Sequence, residues 1–379
     1  MSDPGRRSFL AGFGVMLLAC GRGGAGGAAT PGARGGTLRR LGALDPALGA
    51  PLQIVPRGDG AAVVLRRGFA IADAAGVRAR PLGATADCLA VATTSGWCVG
   101  SLAIDAHGEP GASLRGAGSL DEPGARQLAL RVDGSDWITA VAVQGREDRG
   151  TALVVTRRSA GEGPRWRFTQ EGRAAASVDE SGTLAVATFD GRVRVLADPS
   201  AGQDAPRVLV DVAIDPPGYA ITFDRHGLCV LAAIRDDARR EGGDRIAAPV
   251  DWQPSSGWST EAIELARDGT LRSRAKVGFA GLQAPLRLSD GSIAVVGMGA
   301  ARVAGGAVKW TRPSTSRMHA CAAVDELVLG YGGTVELVGL GGEVRRTDAL
   351  GDEKVACAPA VGAGGEVWIA TTRSLWRIG

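Results

Sequence analysis

The sequence is poor in the residues that carry most enzyme chemistry. Its histidines, His107, His226 and His319, lie far apart, and no group of His, Cys, Asp and Glu has the spacing of a metal site. There is no Gly-x-Ser-x-Gly elbow and no glycine-rich loop that opens a helix. Ser273 and Lys276 match a Ser-x-x-Lys motif but fall in a predicted strand, where the side chains do not lie one helical turn apart. No metal, no cofactor and no catalytic residue is predicted.

Aromatic content and net charge are low as well. Aromatic residues make up 4% of the chain, and 43 Lys+Arg against 40 Asp+Glu give a formal net charge of +3. A charge this small gives no general attraction to nucleic acid, so no nucleic-acid partner is expected. The 45% of hydrophobic residues can form a core, which excludes disorder of the whole chain, and the 58 glycines indicate many turns.

Residues 1–19 have the three parts of an export signal: two arginines, an apolar run at 9–19, and small residues before Cys20. The run, at about ten residues, is too short to cross a bilayer. Residues 6–10 (RRSFL) resemble a twin-arginine export motif, and residues 17–20 (LLAC) resemble the bacterial lipobox, in which the cysteine is acylated. Cys20 is therefore the predicted lipidation site; the alternative is an ordinary cleaved signal with a chance cysteine.

Residues 20–36 follow as a glycine-rich linker without core-forming side chains. Such a flexible segment spans about 20–25 Å, so it is predicted to be a tether. The signal and the tether together predict a protein held by its N-terminal lipid in the bacterial cell envelope. Gly21 is not the acidic residue that retains lipoproteins at the inner membrane in some bacteria, which favours the outer membrane.

A pattern in the middle of the chain recurs to its end. Residues 177–196 read as three short strands with turns at Glu-Ser-Gly and Asp-Gly. Eight such inner hairpins can be placed, each followed by an outer hairpin, and periods of about 40–50 residues with four strands each are typical of propeller blades. The inner hairpins are predicted at 52–66, 86–100, 127–143, 174–189, 219–234, 283–297, 319–331 and 356–371.

The predicted fold is an all-β propeller of four-stranded antiparallel blades over residues 37–379, with eight blades favoured and seven as the next choice. The last unit lacks its fourth strand, while residues 37–41 read as a strand without a neighbour in sequence. We expect this N-terminal strand to join the C-terminal blade and close the ring, because closure leaves no open sheet edge. A monomer is expected.

The connections between strands predict where a partner binds. If the strands of a blade are lettered a to d from the centre outward, the a–b and c–d turns lie at one end of the propeller, and the b–c and d–a connections lie at the other. The second set is longer, above all at 236–259, and function concentrates in loops on a rigid scaffold. Arginine and tryptophan often dominate interface energetics, so the candidate binding residues are Arg239, Arg240, Arg245, Trp252 and Trp258. The alternative is a solvated loop with tryptophan packed back on a blade.

The cysteines other than Cys20 are odd in number, so they cannot all pair within the chain. Cys321 and Cys357 occupy matching positions in successive units and are the best candidates for a pair. Buried thiols are favoured over disulfides, because twin-arginine export acts on a folded protein. This applies to Cys88, Cys98, Cys229, Cys321 and Cys357.

Some outer hairpins resemble those of quinoprotein-like (PQQ-type) propeller repeats. In residues 102–108 and 304–310 an apolar strand turns at Gly, in the second case toward a docking Trp310; Trp166 fits the same role loosely. The adjacent cysteines and carboxylate metal ligands of the quinoprotein dehydrogenases are missing. Among non-enzymes, lipobox and propeller together resemble the propeller lipoproteins of the outer-membrane β-barrel assembly machinery, which implies a scaffold.

Two functions follow as expectations. The first is a lipid-anchored extracytoplasmic propeller that binds a protein, a peptide or an envelope polymer through the b–c and d–a connections. The alternative is an enzyme with its site at the mouth of the channel, such as a degenerate quinoprotein, a lyase or a hydrolase. The absence of an acid–base or metal set in the sequence favours the binding module over the enzyme.

Overall fold

The structure is a computed structural model, and it describes residues 36–82, 88–113, 125–133, 136–143, 152–159, 164–172, 174–188, 190–200, 203–235 and 258–379. These residues form eight four-stranded antiparallel sheets and, apart from the sheets, one short 3-10 helix at Pro46–Leu48. In this part of the chain no helix is long and apolar enough to cross a membrane.

The strands are numbered in chain order, and all but the first fall into consecutive groups. The first strand is β1 (Leu38–Ala43). Blade 1 consists of β2 (Pro51–Arg57), β3 (Gly60–Leu65), β4 (Gly68–Asp73) and β5 (Gly76–Pro81), and blade 2 of β6 (Ala90–Ala92), β7 (Gly96–Val99), β8 (Leu102–Asp105) and β9 (Pro110–Ser113). Blade 3 consists of β10 (Arg126–Asp133), β11 (Asp136–Val143), β12 (Ala152–Ser159) and β13 (Pro164–Gln170), and blade 4 of β14 (Ala174–Val178), β15 (Leu184–Thr188), β16 (Arg192–Ala197) and β17 (Arg207–Ala213). Blade 5 consists of β18 (Gly218–Asp224), β19 (Gly227–Arg235), β20 (Trp258–Leu265) and β21 (Leu271–Val277), and blade 6 of β22 (Leu286–Arg287), β23 (Ile293–Val296), β24 (Gly299–Ala304) and β25 (Ala307–Pro313). Blade 7 consists of β26 (Met318–Ala322), β27 (Glu326–Tyr331), β28 (Thr334–Gly339) and β29 (Val344–Ala349). Blade 8 consists of β30 (Ala360–Val361), β31 (Val367–Ala370), β32 (Ser374–Ile378) and the first strand, β1.

The first strands of the blades lie innermost. Among the first strands, β2 contacts β6, β10 contacts β14, β22 contacts β26, and β30 contacts β2, so the blades form a closed ring. The prediction of an eight-bladed propeller is confirmed, and each of the eight predicted inner hairpins covers the first two strands of one blade except for at most one residue at either end.

The turn in the recurring stretch shows why these residues form tight hairpins. Asp179 follows β14, and its carboxylate accepts hydrogen bonds from the backbone N–H groups of Ser181 and Thr183, both at 2.9 Å. Gly182 takes a φ of +81°, a conformation that glycine adopts without a steric penalty. The turn thus satisfies its own backbone and brings β15 back along β14 with Val178 opposite Leu184.

The core lies between the faces of neighbouring blades. The interface of blades 4 and 5, for example, buries Val193, Val195, Ile221 and Val230 at no more than 1% exposure. Alternate residues of a strand point to opposite faces, and in the propeller both faces are covered, so the middle strands are apolar throughout. This is why β15 and β23 are fully buried along their length.

Two tryptophans on outermost strands reach the following blade. Trp310 of β25 donates its ring N–H to the carbonyl of Leu340 at 3.0 Å, and Trp166 of β13 donates to Asp198 at 3.1 Å. The partner turn under Trp310 requires glycine, because Gly342 has a φ of +93° and a Cβ there would lie 2.8 Å from the Trp310 ring. The docking position predicted for Trp310 is therefore occupied as expected.

The ring closes through the N-terminal strand. β1 pairs antiparallel with β32, with Leu38 opposite Ile378 and Ala43 opposite Ser374, and it becomes the outermost strand of blade 8. Closure by residues 37–41 was predicted, and the strand extends to Ala43. A sheet built from both ends of the described chain leaves no unpaired edge between the first and last blades.

The cysteines of the described chain are thiols. Cys98, Cys229, Cys321 and Cys357 are buried, and Cys88 is partly buried. Burial raises the pKa of the Cys98 thiol to about 12, with a further rise from Cys88, and burial alone raises that of Cys357 to about 12. Cys321 and Cys357 do not form the pair considered from their positions; buried thiols were the favoured prediction. Cys20 lies outside the described residues.

Candidate functional site

The longest predicted loop is an insertion into a hairpin that does not need it. Arg235 at the end of β19 is already paired with Trp258 at the start of β20, and a two-residue turn closes such a pair. Asp73 and Gly76 in blade 1 are joined in this way. The connection 236–257 therefore adds chain that the blade does not require for its own pairing. Arg239, Arg240, Arg245 and Trp252 lie in this insertion and outside the described residues.

The insertion lies at the end of the propeller that carries the b–c and d–a connections, which we call the loop face. The a–b and c–d turns lie at the other end, the turn face. The assignment follows from strand direction: β19 and β20 are the second and third strands of blade 5, and the segments 278–285 and 314–317 join the fourth strand of one blade to the next. The first of these segments, which joins blade 5 to blade 6, packs against Trp258 at the base of the insertion.

Trp258 is the described member of the predicted binding set. Its side chain is 9% exposed and packs with Ala280 and Leu282 of the neighbouring d–a segment, with Ala233 and Met298 at the edge of the cluster. The ring thus fastens the end of the insertion to the junction of blades 5 and 6. Its contribution to partner binding remains a prediction.

A hydrogen-bond network holds the segment that Trp258 packs against. The Tyr219 hydroxyl donates to the carbonyl of Gly281 at 2.9 Å, and it lies 3.1 Å from the Thr260 hydroxyl, which accepts from the Gly281 N–H at 2.7 Å. Burial raises the pKa of Tyr219, against the opposing effect of the Thr260 hydrogen bond, so the phenol keeps its proton. Leu282 therefore sits on a fixed backbone.

Arg317 reaches the same segment from the next d–a connection. One of its terminal nitrogens, Nη2, lies 3.5 Å from the carbonyl of Leu282, at the limit of a hydrogen bond. Its Nε is buried and has no hydrogen-bond partner among the described residues. Loss of solvent lowers the pKa of the Arg317 guanidinium, although an arginine stays charged at any physiological pH.

Other partly buried arginines show the contrast. Arg287 contacts Asp224 at 3.2 Å and Glu264 at 2.7 Å. Arg345 contacts Glu326 at 3.1 Å, and Arg312 contacts Glu336 at 2.8 Å. Within the described ranges no carboxylate forms a comparable ion pair with Arg317. Its charge is therefore desolvated without a neutralising partner close by.

His319 stands two residues further along the chain, at the start of the innermost strand of blade 7. The loss of solvent, together with the neighbouring Arg317 charge, lowers its pKa to about 3. The imidazole is neutral near pH 7, so it supplies no counter-charge. Both residues lie where the d–a connection joins the innermost strand of blade 7.

Glu353, in the d–a connection that leads into blade 8, is already engaged. Burial alone would raise the pKa of Glu353, but hydrogen bonds from Thr371, Trp376 and Ser374 outweigh it and hold the pKa below its usual value. The Ser374 hydroxyl and the Trp376 ring N–H lie 2.9 and 3.2 Å from this carboxylate. Glu353 therefore serves the joint between β1 and blade 8, and no His, Cys, Asp and Glu group in the described chain could hold a metal ion.

Only part of this site could be predicted from the sequence. Length and composition predicted the insertion and included Trp258, but they did not single out Arg317. The only available signal was that Arg317 is one of two arginines, with Arg312, in the connection at 311–318. Its lack of a carboxylate partner depends on neighbours distant in sequence, which pattern alone does not show.

Comparison with known proteins leaves the family open. No protein-family model matches the chain, and the search of curated proteins gave no match. Similar solved structures include streptogramin B lyase, at 12% identity and a TM-score of 0.48, covering 90% of this chain and 96% of that one. The Dos1 propeller is similar at 9% identity and a TM-score of 0.46, covering 92% of this chain and 96% of that one. BBS1N in complex with ARL6DN is similar at 12% identity and a TM-score of 0.47, covering 91% of this chain and 97% of that one. At these identities and TM-scores the likenesses say nothing about function.

Proposed function

We propose that the chain is an extracytoplasmic propeller, anchored by lipid at Cys20, which acts as a binding or scaffold module for a protein, a peptide or an envelope polymer. The partner binds the loop face at the insertion 236–257. A propeller suits this role because its closed ring of blades gives a rigid platform on which loops can vary without loss of the core.

The observation that carries the proposal is the pairing of Arg235 with Trp258. Because the hairpin is complete at that pair, the residues between them are not needed for blade geometry. Trp258, buried against Ala280 and Leu282, keeps the base of the insertion in one place. An interface loop with a fixed base loses less conformational freedom on binding than one that is free at both ends.

The test is replacement of 236–257 by Asn-Gly, which closes the β19–β20 hairpin with a favoured two-residue turn. We expect the variant to fold with an unchanged melting temperature and to lose the partners that crosslink to the parent protein in membranes. The measurement is affinity purification after crosslinking, with crosslinked peptides mapped to the chain.

The matched control changes a turn of the same length on the turn face. Ala74 and Ala75, between the paired Asp73 and Gly76, are replaced by Asn-Gly, and all partners should be kept. Recovery of every parental partner by the 236–257 variant would contradict the proposal, as would crosslinks that map to the turn face.

A further inference from the structure

We propose that Arg317 is the anion-binding position of the loop face: its guanidinium takes an oxyanion, a carboxylate or a phosphate, on its terminal nitrogens. The inference rests on the proposed binding role of this face and names the chemistry that it recognises. A guanidinium presents parallel N–H donors that match both kinds of oxyanion.

The first argument is the state of the charge. The Nε of Arg317 is buried without an acceptor, and a terminal nitrogen makes one marginal contact, to a backbone carbonyl. A guanidinium that has lost water on one side, and has no carboxylate on the other, is in an unfavourable state. An oxyanion on the outer nitrogens would supply the missing negative charge.

The second argument is position. Leu282 contacts Arg317 through its carbonyl and packs with Trp258 through its side chain, so the guanidinium and the base of the insertion meet at one residue. The Tyr219 and Thr260 network holds the backbone of this segment at Gly281. Arg317 therefore lies beside the described base of the β19–β20 connection, at Trp258 and Leu282.

The third argument is the character of the surrounding groups. His319 is neutral near pH 7, and the Glu353 carboxylate is taken by blade 8 side chains and by Arg40 at 3.7 Å. The neutral His319 supplies no counter-charge to Arg317, and Glu353 forms no ion pair with it in the described chain.

The experiment titrates the full chain with acetate and with phosphate, at constant ionic strength made up with chloride. The readouts are the melting temperature and the tryptophan fluorescence, to which Trp258 contributes. We expect a saturable rise of at least about 2 °C in the parent protein, since a ligand that binds only the folded state stabilises it. A stronger response to acetate identifies a carboxylate ligand, and a stronger response to phosphate a phosphate ligand.

Variants assign the response. Arg317→Met keeps the length of the side chain without its charge and should abolish the rise, while Arg317→Lys should weaken it because the fork of donors is lost. Arg66→Met, at an exposed arginine of the loop face, should respond as the parent does. Without added anion, Arg317→Met should melt at or above the parent temperature, because an unneutralised charge has been removed.

An equal rise in the parent and in Arg317→Met, or no saturable rise in the parent, would overturn the inference. Because the titration uses purified protein without a partner, its result is independent of the crosslinking test. The variant that lacks 236–257 should keep the anion response even as it loses its partners.

Discussion

Two glutamines join the innermost strands of neighbouring blades. The Gln53 side chain donates to the Ala90 carbonyl at 3.1 Å and accepts from the Ala90 N–H at 2.7 Å. Gln283 makes the same pair of bonds with Ala320, at 2.6 and 2.9 Å. One side chain in each case satisfies both backbone groups of a buried residue in the next blade, which ties the ring together near its axis.

Gln283→Ala should therefore destabilise the protein by about 2–6 kcal/mol, because two buried backbone groups lose their partners at about 1–3 kcal/mol each. Denaturant unfolding followed by fluorescence measures the change. Gln203→Ala, at an exposed glutamine, is the control and should stay within about 0.5 kcal/mol of the parent. A Gln283→Ala protein as stable as the control would show that water replaces the lost bonds.

His319 should make the protein acid-sensitive. Its folded pKa of about 3 lies below the unfolded value of 6.5, so the unfolded chain binds the proton more readily between these pH values. The stability associated with a neutral His319 is thus complete above pH 6.5 and falls as the pH drops toward 3, by at most about 1.4 kcal/mol per pH unit. His319→Asn should flatten this slope in urea unfolding at several pH values, and His226→Asn, at an exposed histidine, should not. Parallel slopes for all three proteins would contradict the assignment.

These residue-scale features were the least predictable from the sequence. A glutamine before or within an inner strand is an unremarkable residue until its partner, far along the chain, is known. Leu-Gln stands at the start of the first and sixth inner hairpins, so a repeat alignment could have shown Gln53 and Gln283 as equivalent. No repeat in the sequence singles out Arg317 in this way. What distinguishes it is that, among the described residues, it lacks the acidic partner that other partly buried arginines have.

At the scale of elements, the closing strand carries a large share of the stability of the ring. β1 contributes Leu38 and Leu41 to the clusters at the two faces of blade 8 and covers the edge of β32. The Leu44 N–H continues the pairing by donating to the Arg373 carbonyl at 2.8 Å. Removing this strand would expose backbone donors and acceptors and apolar side chains together.

Deletion of 38–43 should lower the melting temperature by more than about 10 °C and cause aggregation through the open edge. Differential scanning calorimetry and light scattering measure the two effects. Arg39→Ala changes an exposed side chain of the same strand and should leave both unchanged. A soluble deletion variant with the parent melting temperature would mean that closure adds little.

The elements themselves were largely predictable, because each hairpin is coded locally by glycine, aspartate and β-branched residues. The boundaries were less so: β22 and β30 are two residues long, and β6 only three, although the predicted hairpins were longer. Next to β22, the Gln283 side chain bonds to Ala320 of the following blade where the strand itself does not continue. This depends on packing between blades rather than on local pattern.

At the scale of the whole molecule, the path of the N-terminal chain defines two unlike ends. Leu38 pairs with Ile378, and Gly36 lies against Gly379, so β1 enters at the turn face and runs toward the loop face. Arg346 donates to the Gly36 carbonyl and holds this entry point at blade 7. The predicted tether, residues 20–36, therefore joins the propeller opposite the insertion at 236–257.

If Cys20 carries the predicted lipid, the turn face lies toward the bilayer. A fluorophore on Ala75→Cys, at the turn face, should transfer energy to a dye in the lipid more efficiently than one on Arg66→Cys, at the loop face. Cys20→Ala should abolish both signals and release the protein from membranes. Equal transfer from the two labels, or a membrane-bound Cys20→Ala protein, would contradict this orientation.

The entry of β1 also sets a working distance. A strand of six residues spans about 20 Å, and the tether adds up to about 20–25 Å, so with a lipid on Cys20 the loop face would stand about 20–45 Å from the bilayer. A partner embedded in that same membrane would need a domain tall enough to reach past the full height of the blades. In that orientation soluble chains, cell-wall polymers and proteins of a facing membrane would meet the loop face directly, and the length of the tether would determine how wide a gap the protein can bridge.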